Sequence, residues 1–357
     1  MAERLVAGVE QTVTRLREDG ALAPPDGGPI STRVLSVATR PFSYVARIEV
    51  CHPGGSRRVV AKIPRVRAGR THRGLEQLQR EYTAAHDLAS TFGGEPLLGV
   101  ADVVAFYPDV PALVCAEVEG ATLSALIADG ARGVPRAERL AHLEAACCGA
   151  GRWLRFLQAA TLAEGQQVSL DEMVGYVDVR LERIGELRPR GLDPEWRASV
   201  RRAFAAAKAR PAPADLRVAA VHGDFTPSNI MSDGQRIVAI DLARFGMGSI
   251  YYDVTRLYHQ LGLLLHKPWF RPATVARLRR ALLAGYDPRL HVGHPLFRLF
   301  LIQHLLCHWL GRLKPSAAPY HVRGFHRWVT YRHRRELETL VAQLHDGAAP
   351  GDLYGTS

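Results

Sequence analysis

Lysine is scarce in this sequence: only Lys62, Lys208, Lys267 and Lys314 accompany the arginines that make up the rest of 46 basic residues. The net charge is +11 and the pI near 9.8. An arginine bias beside abundant alanine is what base composition alone produces, so the charge is weak support for a nucleic-acid partner, and none is expected. Cysteine is also sparse and unpatterned. Cys51, Cys115, Cys147, Cys148 and Cys307 are odd in number and include no CxxC, so reduced thiols are the simplest reading. No run reaches the roughly 18 apolar residues that a membrane span requires, and MAERLVAGVEQTVTRLRED has no signal-like apolar core. A cytoplasmic protein with reduced thiols is expected. Hydrophobic residues at 47% and charged residues at 23% exclude a disordered chain. At 357 residues there is room for two or three domains.

What is present changes character along the chain. Leu5, Val6, Val9, Val13 and Leu16 recur at helical spacing, followed by a Gly/Pro-rich loop from Ala23 to Pro29. Segments 32–38, 44–50 and 58–63 alternate as strands separated by Pro41-Phe42-Ser43 and His52-Pro53-Gly54-Gly55, the pattern of an antiparallel meander. A helix over 73–90 and strands over 100–107 and 112–118 complete the first part. Beyond Gly120 helical periodicity dominates, at 136–162, 169–187, 194–209, 252–266, 273–285, 295–312 and 323–345. One strand pair interrupts it, 218–221 and 237–240. The fold class expected is α+β, a small antiparallel β-sheet lobe over 1–117 and a larger mainly helical lobe over 118–346. A frayed tail over 347–357 is expected to follow.

Chemistry concentrates in VAAVHGDFTPSNIMSDGQRIVAIDLARFGMGSIYYD, residues 218–253. Two carboxylates, Asp224 and Asp241, and one carboxamide, Asn229, fall at or beside strand ends. Phosphoryl transfer uses such a set: one carboxylate orients an acceptor hydroxyl, while an Asp and an Asn hold Mg²⁺ against triphosphate oxygens. HGDFTPSN followed by IDLARFG resembles the signature of the aminoglycoside phosphotransferase and choline kinase-like family, small-molecule relatives of the protein kinases. The resemblance implies a protein-kinase-like two-lobed fold, ATP or GTP and Mg²⁺ as cofactors, and a small-molecule hydroxyl acceptor. It makes Asp224 the catalytic residue, Asn229 and Asp241 the metal ligands, and Asp253 a brace for the catalytic loop.

Upstream, Val59-Val60-Ala61-Lys62 resembles the V-A-I-K lysine that contacts the phosphates. Glu81 in the following helix is its natural ion-pair partner, ahead of Glu76. Cys115 to Glu119 would form the hinge between the lobes, with Glu117 and Val118 offering backbone groups to a purine, and Gly120 begins a family-like G-x-x-L. Two departures stand out. The turn Arg40-Pro41-Phe42-Ser43 lacks every glycine of the kinase phosphate loop, leaving backbone N–H groups or the Ser43 hydroxyl to meet a phosphate. Gly223 replaces the arginine of H-R-D, which removes the charge partner of a phosphorylated activation loop and favours a metabolite acceptor.

For the acceptor, a basic chain disfavours a polycationic aminoglycoside; a sugar, a glycolipid precursor or an amino alcohol is expected instead. A local acidic cleft of Asp171, Glu172, Asp178 and Glu182 is the one route back to a cation. A nucleotide-binding pseudokinase or scaffold is one alternative. A membrane-surface kinase acting on a lipid-linked sugar is the other, prompted by the basic, aromatic run 321–335. That run also fits a last helix packed on one face with its arginines in water, which is the reading preferred here. His304, Cys307 and His308 share a helical face, but the helix is otherwise apolar and packed histidines explain them better than zinc.

Overall fold

The computed structural model describes residues 2–19, 22, 30–65, 71–187, 194–208, 210–313 and 320–346; the loop from Ala23 and the tail from Gly347 lie outside them. In chain order come α1 (Ala2–Glu18), β1 (Ser31–Thr39), β2 (Ser43–His52), β3 (Gly55–Pro64), α2 (Thr71–Phe92), β4 (Leu98–Val100), β5 (Val103–Tyr107), β6 (Ala112–Ala116) and β7 (Ala121–Thr122). Next are α3 (Leu123–Gly130), α4 (Ala137–Ala160), β8 (Ala163–Gln167), α5 (Leu170–Leu187), α6 (Pro194–Lys208), β9 (Arg217–Val221), β10 (Ile230–Ser232) and β11 (Ile237–Ala239). β12 (Gly246–Ser249), α7 (Tyr252–Gly262), α8 (Pro272–Tyr286), α9 (Pro295–Leu313) and α10 (Tyr320–Asp346) end the described chain. The fold is α+β, as expected.

Two compact units result. The first comprises Met1–Thr122 with Asn229–Phe245, and the second Leu123–Ser228 with Gly246–Ser357. The chain therefore passes between them three times, not once near Glu117–Gly120. Residues 229–245 join the first unit because β10 pairs with β7, and β11 runs parallel to β4.

In the first unit the sheet order is β1-β2-β3-β6-β5. Period-two alternation sends Ala46, Ile48 and Val50 of β2 and Val59, Ala61 and Ile63 of β3 to one buried face. There they pack with Val9, Val13 and Leu16 of α1, spaced i, i+4, i+7. Lys62 consequently projects from the opposite face of β3. On α2, Leu78, Glu81, Ala85, Leu88 and Phe92 form one buried stripe, so a carboxylate occupies a position otherwise reserved for apolar side chains.

In the second unit α9 is buried nearly all round, from Leu296 to Leu306, and packs with α5, α7 and α10. α4 packs along α8 and against β9, with Trp153 fully buried. α10 buries Val329, His333, Leu337, Leu340 and Leu344 and leaves Arg323, Arg327 and Arg335 exposed, an amphipathic last helix as expected; its aromatic residues Trp328 and Tyr331, however, are exposed and do not form the packed face. One expectation is corrected. The strands at 218–221 and 237–240 are not a pair: β9 lies between β12 and β8, whereas β11 lies between β4 and β10. The Asp233-Gly234 turn closes a local β10–β11 hairpin, and the glycine-rich β12, which carries no strand signal, is the partner of β9. Among the described residues no helix is long and apolar enough to cross a membrane.

Candidate active site

In the first unit, Lys62 Nζ lies 2.6 Å from Glu81 Oε2 and 2.6 Å from Asp241 Oδ1. The lysine is mostly buried. Burial alone would lower its pKa, but the charges of Glu81 and Asp241 overcome that and raise it, so the ammonium is held charged. Burial pushes the Glu81 carboxyl up, against the pull of Lys62 and of the Leu242 N–H that it accepts. Three residues 179 positions apart at the extremes are thus tied at one point.

Asn229 and Asp241 reach that region through the β10–β11 hairpin. Ile230 pairs with Ala239, and the Ile240 N–H donates to the Asn229 carbonyl at 3.0 Å. The register leaves both side chains at the same end of the hairpin. Asp241 has φ of 65°, the only non-glycine residue in the left-handed region among the described residues. Such a backbone costs on the order of 1 kcal/mol for an L-residue and is typical of functional positions.

The two remaining nucleotide-site expectations sit less simply. The N–H groups of Ala116 and Glu117 already donate to Asp102 and Arg58 carbonyls, at 2.8 and 3.0 Å. The Glu117 carboxylate pairs with Arg47 at 2.5 Å. A purine would have to use the N–H of Val118 and carbonyls of the segment. Gly120 follows with φ of 95°, and a Cβ there would fall 2.2 Å from the Ser232 carbonyl oxygen, so only glycine fits. Ser43 opens β2 with a buried side chain, while its carbonyl accepts the Arg40 N–H at 2.8 Å. The outer surface of that turn is Phe42, which is 74% exposed.

In the second unit, Asp224 follows β9 on a loop set by its neighbours. His222 is fully buried between Trp153 and Phe225, whose own rings stack at 5.2 Å. Asp253 on α7 accepts the N–H groups of His222 at 2.6 Å and Gly223 at 3.1 Å. Burial pushes the Asp253 carboxyl up to about 7, although those two N–H groups and Arg256 pull it down. Gly223 has φ of 77°, which is the backbone reason for a glycine where protein kinases have arginine. Arg256, one turn beyond Asp253 on α7, donates to Asp224 Oδ1 through Nε at 3.1 Å and through Nη2 as well. Sequence reasoning missed this arginine; its only signal was the D-x-x-R spacing, which places both side chains on one helical face.

The sequence pattern of the phosphotransferase enzyme family matches residues 50–300. The chain belongs to this family. It is accordingly a phosphotransferase with an alcohol group as acceptor. No curated protein sequence matches it. Solved structures with a similar fold include a choline/ethanolamine kinase family protein from Mesorhizobium loti, 16% identical, with TM-score 0.54 over 95% of this chain and 99% of that one. The ethanolamine kinase of Plasmodium vivax is 11% identical, with TM-score 0.54 over 93% and 89%. The ternary complex of APH(2")-IIa with streptomycin and ATP is 14% identical, with TM-score 0.51 over 88% and 93%. At these identities the likeness is one of fold.

Other expected clusters in this phosphotransferase resolve differently. Asp178 and Glu182 both pair with Arg201, at 2.8 and 3.2 Å, and Asp171 pairs with Lys208, so three of the four carboxylates of the expected acidic cleft are engaged by cations of α6. His304, Cys307 and His308 diverge. His304 Nε2 meets the Tyr252 carbonyl at 3.0 Å, Cys307 Sγ meets Tyr176 Oη at 2.9 Å, and His308 Nδ1 meets His333 Nε2 at 2.7 Å. His266, His333 and Glu336 bring ligand atoms within 4.8 Å of one another. The charges of Arg332, Arg312 and Arg279 act on His266 there and oppose a cation.

Proposed function

We propose that this phosphotransferase moves the γ-phosphate of ATP or GTP, in a Mg²⁺-dependent reaction, to a hydroxyl of a neutral or anionic small molecule. The observation that carries the reading is the clamp of Lys62 between Glu81 and Asp241, with Asn229 on the same hairpin as Asp241. Lys62, held charged and fixed by two carboxylates, would bind the α/β-phosphates. The carbonyl oxygen of Asn229 and the carboxylate of Asp241 are hard donors, and that donor set fits Mg²⁺. Bound there, the ion would neutralise charge on the phosphate oxygens. Val118 would meet the purine, and the Arg40–Ser43 turn would offer backbone N–H groups, since the Ser43 side chain is buried.

Asp224, fixed through Oδ1 by Arg256, would accept the hydrogen bond of the acceptor hydroxyl and then its proton. The hydroxyl oxygen forms a bond to the γ-phosphorus, the bond from that phosphorus to the β-bridging oxygen breaks, and the nucleoside diphosphate leaves with the electron pair. Asp253 and Gly223 would keep Asp224 in place, so the protein contributes position and charge, without a covalent intermediate. The retained Lys62, Asp224, Asn229 and Asp241 argue against a pseudokinase.

The test is Mg²⁺-dependent ADP or GDP release across sugars, sugar phosphates, amino alcohols, hydroxy acids and aminoglycosides. Acceptor-dependent release by the wild type and its loss in Asp224→Asn are expected. Equal turnover in the variant would sink the assignment.

A further inference from the structure

A cavity of about 450 Å³ opens in the second unit, between α3, α9, α10 and the 3₁₀ turn Leu263–His266. Thr226, Pro227 and Ser228, which link Asp224 to Asn229 in the chain, form part of its wall. Its charged lining is Arg132, Lys267 and Arg312, and no aspartate or glutamate contributes. Among the described residues none of these three cations has a carboxylate within ion-pair distance. They lie instead beside aromatic rings: Arg132 is 5.9 Å from the Trp269 ring centre, and Lys267 is 6.0 Å from that of Phe270. Other basic residues of the same unit are matched, Arg201 by Asp178, Arg155 by Asp287 and Arg277 by Glu144.

Three like charges around one concave space repel each other, and apolar walls focus their field into it. An anion relieves that repulsion, whereas a polyamine or quaternary ammonium compound adds to it. His266 and His308 in the wall stay neutral, through burial and then neighbouring arginines, so they serve as hydrogen-bonding groups and supply no balancing charge. Trp269, Phe270 and Phe325 give flat apolar surface for a ring or chain.

We infer that this cavity is the acceptor pocket and that the acceptor is an anion: a hydroxyl compound bearing a carboxylate or phosphate on an apolar, ring-sized body. Arg132, Lys267 and Arg312 bind the anionic group and set specificity. The inference rests on the phosphotransferase reading above for the word acceptor, but not for the charge of the ligand.

The experiment is binding to the full chain without nucleotide, by isothermal titration or saturation-transfer NMR. The probes are para-(hydroxymethyl)benzoate, its amide, the matching benzylamine, and para-(hydroxymethyl)phenyl phosphate. At least one anion should bind about tenfold tighter than the amine, with the amide between them. Arg312→Gln combined with Lys267→Gln should remove that difference; both residues are exposed, and an unchanged melting temperature verifies folding. The tighter of the two anions tells carboxylate from phosphate. Equal affinities, a preference for the amine, no anion binding below about 10 mM, or indifference to the double substitution would overturn the inference. Mg²⁺-dependent nucleotide binding and Asp224-dependent turnover are read separately. Their failure with the anion preference intact would remove the kinase and leave the anion pocket standing.

Discussion

In the first unit the buried cation Lys62 is matched by two carboxylates, while in the second Arg132, Lys267 and Arg312 line a cavity with no carboxylate among them. The histidines differ in the same sense. His259, His266, His304 and His333 are buried and His308 half-buried in the second unit, with pKa values driven down first by burial and then by neighbouring histidines and arginines. A neutralised site holds its own geometry before any ligand arrives. An unneutralised one lacks that internal pairing, and an anion would supply it. One unit pairs its central cation internally, whereas the other lines a cavity with three cations and no carboxylate.

The largest expected effect comes from removing the acceptor-side carboxylate alone. Asp224→Asn should lower kcat by about 10²- to 10⁴-fold, while Mg²⁺–nucleotide affinity, measured by fluorescence titration, stays nearly constant. A parallel loss of nucleotide binding would break the division of labour between the units. Lys62→Met attacks the other side. It leaves Glu81 and Asp241 facing each other without a cation, which should cost up to about 3 kcal/mol by chemical denaturation and remove most of the nucleotide affinity. Retained stability would mean that the clamp is assembled only with nucleotide bound.

Acid should sharpen the contrast further. A histidine whose pKa is lowered on folding contributes stability that is complete above its unfolded value of 6.5 and is lost as pH falls toward the folded value. That value is about 4 for His266, about 3 for His304 and His308, and about 2 for His333. The melting temperature should therefore fall steadily from pH 6.5 to pH 5, and His333→Phe should flatten the slope. A flat wild-type profile would contradict the buried neutral cluster. The smallest effect is expected at Gly223. Its φ of 77° makes Gly223→Ala cost about 1 kcal/mol, and kcat should fall more than KM changes, because the loop under Asp224 shifts.

Much of the candidate site is written locally in the sequence. His222-Gly223-Asp224 with Asn229 and Asp241 is a short-range pattern, and Lys62 stood out because lysine is rare and this one ends an apolar strand. Glu81 could be chosen over Glu76 because it falls on the apolar stripe of α2, where a charge needs a partner. The β9 and β11 pairing could not be read, because strand partners are chosen by sheet geometry and a glycine-rich strand such as β12 carries no propensity signal. The acidic group of Asp171, Glu172, Asp178 and Glu182 could not be judged from sequence because Arg201 and Lys208, which pair with three of them, sit on a different helix.

The sequence by itself determined the α+β class, the helical and strand periods, and the phosphotransferase constellation, since each is written within a few turns or one hairpin. Only the tertiary structure decided which charges meet. Arg256 on Asp224, Lys62 on Asp241 and the cavity-lining trio of Arg132, Lys267 and Arg312 join residues 32, 179 and 180 positions apart. A side chain's electrostatic partner is fixed by packing across elements, and no local pattern in the chain encodes it.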